Sequence, residues 1–168
     1  MTKLKDLDYG IFSELLKNSK SSDREIAKKI GVSQPTVTRR RMRLEKEVID
    51  SYTLIPKWEA AAYTLLVITL FKHRLKSRTK EEYLATRKLV LDWMMKHPNI
   101  IMDGRCTGNG ADAFMISIHK NFAGYDKLSI EVTRDLGDNI RNIQPILVNL
   151  AKGNLIKPLS LKYLAEAR

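Results

Sequence analysis

The sequence predicts an α+β protein in two parts: an N-terminal (winged) helix-turn-helix domain, then a ferredoxin-like βαββαβ sandwich. Three observations predict it. Up to about residue 55, apolar residues recur at helical spacing. Beyond that point, short β-branched runs alternate with longer helical stretches. Between the second and third predicted helices lies a three-residue break, Gly31, Val32 and Ser33, the spacing of a helix-turn-helix.

Leu4, Leu7, Ile11 and Leu15 step by three and four, with Phe12 and Leu16 widening the stripe, which predicts a first helix over 6–18. Residues 18–22 are polar and turn-like. Ser22, three residues before Glu25, is a capping-box pattern that opens a second helix with Ile26, Ala27 and Ile30 inward. Gly31 ends that helix, because glycine adopts the left-handed conformation without penalty. Ser33 is expected to cap a third helix reaching Glu47, with Pro35 in its first turn. Val37, Leu44 and Val48 share one face of it. Val48, Ile49, Tyr52 and Leu54 are expected to form a strand, and Pro56 and Lys57 mark a linker.

Residues 63–71 are apolar and β-branched, a buried strand. Residues 79–97 are helical until Pro98 and Asn99 break them. Strands are expected over 100–106 and 113–119, joined by a glycine-rich turn at 107–112. A helix over 124–136 ends at Gly137. A last strand covers 143–150, where Pro145 indicates an edge position or a late start. This order puts both helices on one face of a four-stranded sheet. The other face needs a cover, and a second copy of the chain is the simplest one. The expected divisions are 1–55 (helix-turn-helix), 56–61 (linker), 62–150 (ferredoxin-like sandwich) and a tail over 151–168 that can add a strand.

Composition narrows the function. The 168 residues are 43% hydrophobic and 29% charged, a globular balance. The longest nearly apolar run, residues 60–71, falls short of the ~20 that span a membrane. No secretory pattern opens the chain, and Cys106 is its one cysteine, so a cytoplasmic location is expected. The formal charge of +11 favours polyanions. Residues 20–46 carry nine basic and three acidic side chains, and Thr36, Arg39, Arg43 and Lys46 cluster on the face opposite the apolar stripe, with Arg40 at its edge. Double-stranded DNA is the expected partner. Gln34 suits adenine, and Arg39 or Arg40 suits guanine. Ser22, Ser33 and Thr38 offer hydroxyls to phosphates, as Arg43 and Lys46 offer charge. Arg41 falls near the apolar stripe, so its stem runs along the core edge to water or to an acidic partner.

Residues 7–52, LDYGIFSELLKNSKSSDREIA running into IAKKIGVSQPTVTRRRMRLEKEVIDSY, resemble the DNA-binding half of the leucine-responsive/asparagine-regulator (Lrp/AsnC) family of transcription regulators. The later strand order and the hairpin TGNGAD are similar to that family's regulatory domain. The resemblance implies a sequence-specific regulator that forms homodimers, or octamers, through its regulatory sheets. It also implies a small effector, such as an amino acid, bound near the hairpin. Carried over by position, Ser33, Gln34, Thr36, Thr38, Arg39, Arg40 and Arg43 match the recognition segment, and Gly108 and Asp112 match the hairpin. With Asn109 and Gly110 these make the expected effector site, although such a turn also forms with no ligand at all. The chain departs from the family at Arg41, at Glu47 (followed by Val48 rather than glycine), and in a hairpin one residue longer.

Enzyme chemistry has little to rest on. His73, His97 and His119 are scattered, and no metal, P-loop or nucleophile-elbow motif occurs, so no cofactor is expected. A tetrapyrrole decarboxylase of the same architecture finds only His73 and Arg74 in its favour. An architectural DNA-compacting protein is the other alternative. The basic stretch Lys72, His73, Arg74, Lys76, Arg78 and Lys80 reads first as a solvated loop, with a secondary DNA contact or a site for an acidic partner as alternatives.

Overall fold

The computed structural model describes residues 4–74 and 79–166. The chain divides into two compact units, one built from the chain up to Ile55 and from Lys157 onward, the other from Pro56–Ile156.

The first unit holds α1 (Asp6–Lys17), α2 (Asp23–Ile30) and α3 (Gln34–Glu47). Ile11, Leu15, Ile26, Ala27, Val37 and Leu44 form its core. Ser22 starts α2 with a complete capping box: its hydroxyl accepts from the Glu25 amide, and its own amide donates to the Glu25 carboxylate. Gly31 ends α2 at φ 74°, a left-handed conformation that costs a side-chain-bearing residue ~1–2 kcal/mol. At Ser33 the expectation is corrected. It occupies the cap position of α3, but its side chain makes no capping bond and pairs instead with the Thr36 hydroxyl at 2.8 Å.

The strand expected over residues 48–54 does not form. Val48 leaves the helix at φ −132° and is exposed, as are Tyr52 and Leu54. A strand needs a ladder partner, and Tyr52 is drawn to α3 instead. Its hydroxyl donates to Glu45 at 2.8 Å and its ring lies 5.7 Å from the Arg41 guanidinium. Among the described residues the tail forms no strand either. Leu161–Glu166 is a 3₁₀ helix packed against α1.

The second unit is a four-stranded antiparallel sheet in the order β2-β3-β1-β4, from β1 (Leu65–His73), β2 (Ile100–Gly108), β3 (Ala111–His119) and β4 (Ile140–Asn149). Two helices cross it, α4 (Lys80–Met95) and α5 (Phe122–Leu136). β4 is an edge strand and includes Pro145, paired opposite Thr69, so the missing amide falls where no ladder needs it. Phe71, Trp93, Met115, Leu128, Val132, Leu136 and Ile140 form the core between helices and sheet.

The other sheet face is apolar by register. Leu66, Ile68 and Leu70 of β1 stand opposite Ile118, Ile116 and Phe114 of β3. On the far side Leu66 and Ile68 meet Val148 and Ile146 of β4. Within this chain Ile146 is 49% exposed and Met102 on β2 55%.

Candidate nucleic-acid interface

The helix α3 turns a core residue inward at Val37 and again at Leu44, both essentially inaccessible. At ~100° per residue, the run Arg39, Arg40, Arg41 fans around the helix. Arg40 and Arg41 fall roughly 40–60° to either side of the buried stripe, and Arg39 falls on the outer face. The three side chains accordingly meet different fates.

Arg40 turns back to α1, where its guanidinium lies 3.3 Å from both carboxylate oxygens of Asp8. Asp8 has no exposed surface, and Arg43 also pairs with it. Arg41 turns to α2, donating to Asp23 at 3.1 Å and to the Ser21 carbonyl at 3.1 Å, and it reaches Glu45 along its own helix at 3.0 Å. Burial pulls the Arg41 pKa down, but Glu45 and Asp23 outweigh it and the net shift is upward. Two arginines flanking the apolar stripe therefore fasten α3 to α1 on one side and to α2 on the other. Arg39 is exposed and has no ion pair or hydrogen bond among the described residues.

The other candidates divide in the same way. The Gln34 side chain and Lys46 are exposed without a partner among the described residues. Thr38 is committed internally, donating to Asp23 at 2.7 Å and to the Gln34 carbonyl at 3.2 Å. The Ser22 hydroxyl belongs to the capping box, with the Glu25 carboxylate 2.8 Å away, a poor setting for a phosphate. The Ser22 backbone amide, and then its hydroxyl, hold the Glu25 carboxyl below its ordinary pKa. Ser33 and Thr36 keep each other company at the start of α3. The first turn of α3 has no acidic residue, whereas that of α2 has Asp23 and Glu25. The positive end of the α3 dipole is thus left open to an anion.

In the second unit, Gly108, Asn109 and Gly110 make a tight hairpin. Gly108 pairs with Ala111, and Asn109 and Gly110 adopt φ 48° and 70°, a two-residue turn of type I′ sense. Asp112 stands just beyond it and is already engaged. It accepts from the His73 amide at 3.1 Å, contacts the His73 ring at 2.5 Å, and lies 3.3 Å from the Lys72 ammonium. Burial raises its pKa, but the bonds from His73 and Lys72 prevail and lower it. Lys76 and Arg78 of the basic stretch lie outside the described residues.

Residues 4–47 match the family described as winged helix-turn-helix DNA-binding. No curated protein matches the chain. Among solved structures, the transcriptional regulator NMB0573 of Neisseria meningitidis, crystallised with L-Met, superposes with a TM-score of 0.75 at 17% identity, covering 96% of this chain and 99% of that one. An AsnC family regulator from Agrobacterium tumefaciens gives 0.73 at 21% identity over 96% and 99%. AsnC of E. coli gives 0.70 at 15% over 94% and 99%. The chain has the fold of the AsnC-type transcription regulators.

Two residues of this AsnC-type fold escape a reading of the sequence for DNA contacts. Met42 sits on the outer face of α3, between Arg39 and Lys46, and is 66% exposed. Its signal was the wheel, which puts it opposite Val37 and Leu44. Asp8 is the second. It lies on the apolar stripe of α1, three residues before Ile11, and a carboxylate there demands a cation. The arginines of α3 answer that demand. Among the described residues, no helix is long and apolar enough to cross a membrane.

Proposed function

We propose that this chain is a sequence-specific DNA-binding transcription regulator, working in the cytoplasm as a homodimer or a larger homo-oligomer, with α3 as its recognition helix. The observation that carries the reading is the division of labour on α3. Arg40, Arg41 and Arg43 are bound to carboxylates of the same unit, while Gln34, Arg39 and Lys46 face solvent unpartnered among the described residues. A merely solvated basic helix has no need to be fastened on both flanks. A helix presented to a major groove does, because its outer side chains must arrive in a fixed register.

In this reading Gln34 and Arg39, near the helix start, meet base edges, with adenine and guanine as their respective matches. Met42 offers a thymine methyl an apolar contact. Ser33, Thr36 and Lys46 hold the phosphate backbone, and Arg43, 41% exposed, adds charge from the flank. Ser22 and Thr38 act as structural hydroxyls, and Arg40 as a clamp rather than a reader. Residues 1–55, together with the returning chain from Lys157, form the DNA-binding domain, 56–61 lead into the second unit, and 62–150 are the effector and dimerisation domain.

The apolar sheet face supports dimerisation through β1, β3 and β4. Two recognition helices then enter grooves about 34–36 Å apart, or a multiple of that, on a roughly palindromic site. A small effector is part of the proposal, bound near Gly108, Asn109, Gly110 and Asp112, and one structural neighbour is a complex with L-Met. An incoming ammonium group has to displace Lys72 from Asp112. No enzymatic step is assigned.

Selection of bound sites from a random duplex pool, at two salt concentrations, tests the function. A palindromic site that survives high salt is the expected result. Binding without enrichment, lost as salt rises, indicates architectural compaction instead. No binding at either salt overturns the reading.

A further inference from the structure

The DNA-binding unit is not continuous in sequence. The chain leaves it at Ile55, builds the second unit, and returns at Lys157. The terminal 3₁₀ helix Leu161–Glu166 then packs against α1. α1 is built to receive it. Ile11 and Leu15 face the core of the unit and Phe12 packs against it, but Leu16, one step round the helix, is also half-buried. Ser13, on the side roughly opposite Ile11, is only 8% exposed, and its hydroxyl is buried with no hydrogen-bond partner among the described residues. A helix serving a three-helix domain ordinarily keeps such a face in water.

In the tail, Ser160, Tyr163 and Ala165 are half-buried between exposed neighbours. The ammonium groups of Lys157 and Lys162 lie 4.0 and 5.3 Å from the centre of the Tyr163 ring. Glu166 adds its field to that of Glu14 at Lys17, in the last turn of α1. The 3₁₀ helix thus covers part of α1 while Leu159, Leu161 and Leu164 remain exposed.

The same α1 carries Asp8, the buried anchor of Arg40 and Arg43. We propose that residues 157–166 are a strap across the outer face of α1, a positioning element for DNA recognition that acts through Asp8 on the arginines of α3. The proposal rests on the reading of α3 as the recognition helix. β4 ends at Asn149, and only residues 150–156 separate it from the strap.

Two readouts on the full chain and on a chain ending at Ile156 test this. The first is the rate at which a thiol reagent labels S13C, with C106S removing the other cysteine. The second is the Kd for duplex DNA, measured with Asp8 present and in an Asp8→Asn background. Loss of the strap should speed S13C labelling at least ~10-fold, as a covered site becomes open. It should also raise the Kd roughly tenfold with Asp8 present but less than about twofold in Asp8→Asn, the non-additivity of parts acting in one chain. Where the shortened chain is unfolded at the assay temperature, Tyr163→Ala in the full chain carries both readouts. Unchanged labelling overturns the proposal. So does an equal loss of DNA affinity in the two backgrounds, which makes the tail a general stabiliser. A full chain that binds no DNA refutes the DNA-binding reading and the positioning role with it, and the labelling rate still decides whether the strap covers α1.

Discussion

Replacing Arg39 and Arg40 by alanine, one at a time, separates two neighbours that the sequence presents as equals. Arg40→Ala removes one of the two cations on Asp8, a carboxylate that no water reaches. Breaking a fully buried pair costs ~3–5 kcal/mol. Arg43 remains in place, and Arg40 is itself 25% exposed, so about half of that is expected, ~2 kcal/mol. For a unit of this size each kcal/mol moves the midpoint by ~4–8 °C, so the DNA-binding unit should melt roughly 8–16 °C lower. Arg39→Ala removes an exposed side chain with no partner among the described residues. It should leave the midpoint within ~2 °C. Its effect belongs to binding: a loss of roughly 10- to 100-fold on a selected site, with a smaller loss on random duplex. Thermal melts and fluorescence titrations at two salt concentrations measure both. An Arg40→Ala chain that melts like the parent but loses site affinity as Arg39→Ala does would refute the clamp and return Arg40 to the readers.

Other outcomes are equally open to measurement. Gly31→Ala forces a side chain into φ 74°, where nothing stands within 4 Å of a Cβ, so it should destabilise through the backbone alone, by ~1–2 kcal/mol, with Gly31→Asn milder in the same melt. Ile68→Asp places a charge in the apolar sheet face and should shift a homodimer to monomer by light scattering, with the regulatory unit still folded by circular dichroism. His119 is buried beside Ser117 at 2.8 Å, and burial holds its pKa below the ordinary 6.5, against a smaller opposing effect from Gly124. Above pH 6.5 the imidazole is neutral folded or unfolded. As pH falls below 6.5 the unfolded chain takes the proton first, and stability declines until the folded pKa is passed. The urea midpoint should therefore drop between pH 7.5 and 5.5, and His119→Gln should flatten that drop. Asp112 and Asp135, whose carboxyl is held at about 2 by Arg134 and then Trp93, act at lower pH and leave this window clear.

Much of this molecule was legible in the linear pattern, because the strongest signals are local. The capping box at Ser22, the left-handed Gly31 and the type I′ turn at Asn109 and Gly110 each depend on a few adjacent residues. Periodicity placed the sandwich strands and helices in their order, since burial on one face imposes its period on the sequence. The failures share a cause as well. Residues 48–54 have the composition of a strand, but a strand exists only against a partner, and here Tyr52 is taken by Glu45 and Arg41. Ser33 has the identity and position of a cap, but its hydroxyl pairs with that of Thr36 instead.

By itself the sequence determined that a basic helix follows a tight turn, that a βαββαβ sandwich follows the linker, and that the charge calls for a polyanion. The tertiary structure decided which of the basic residues are available to one. Arg39, Arg40 and Arg41 are the same residue in consecutive positions, and only the carboxylates of α1 and α2, 32 and 18 positions away in sequence, tell them apart. It also decided the place of the tail, which packs on α1 at the other end of the chain while Leu159, Leu161 and Leu164 stay exposed. Local signals need only neighbouring residues and survive in the linear text. A charge that is spent, or a face that is covered, depends on what the fold brings beside it.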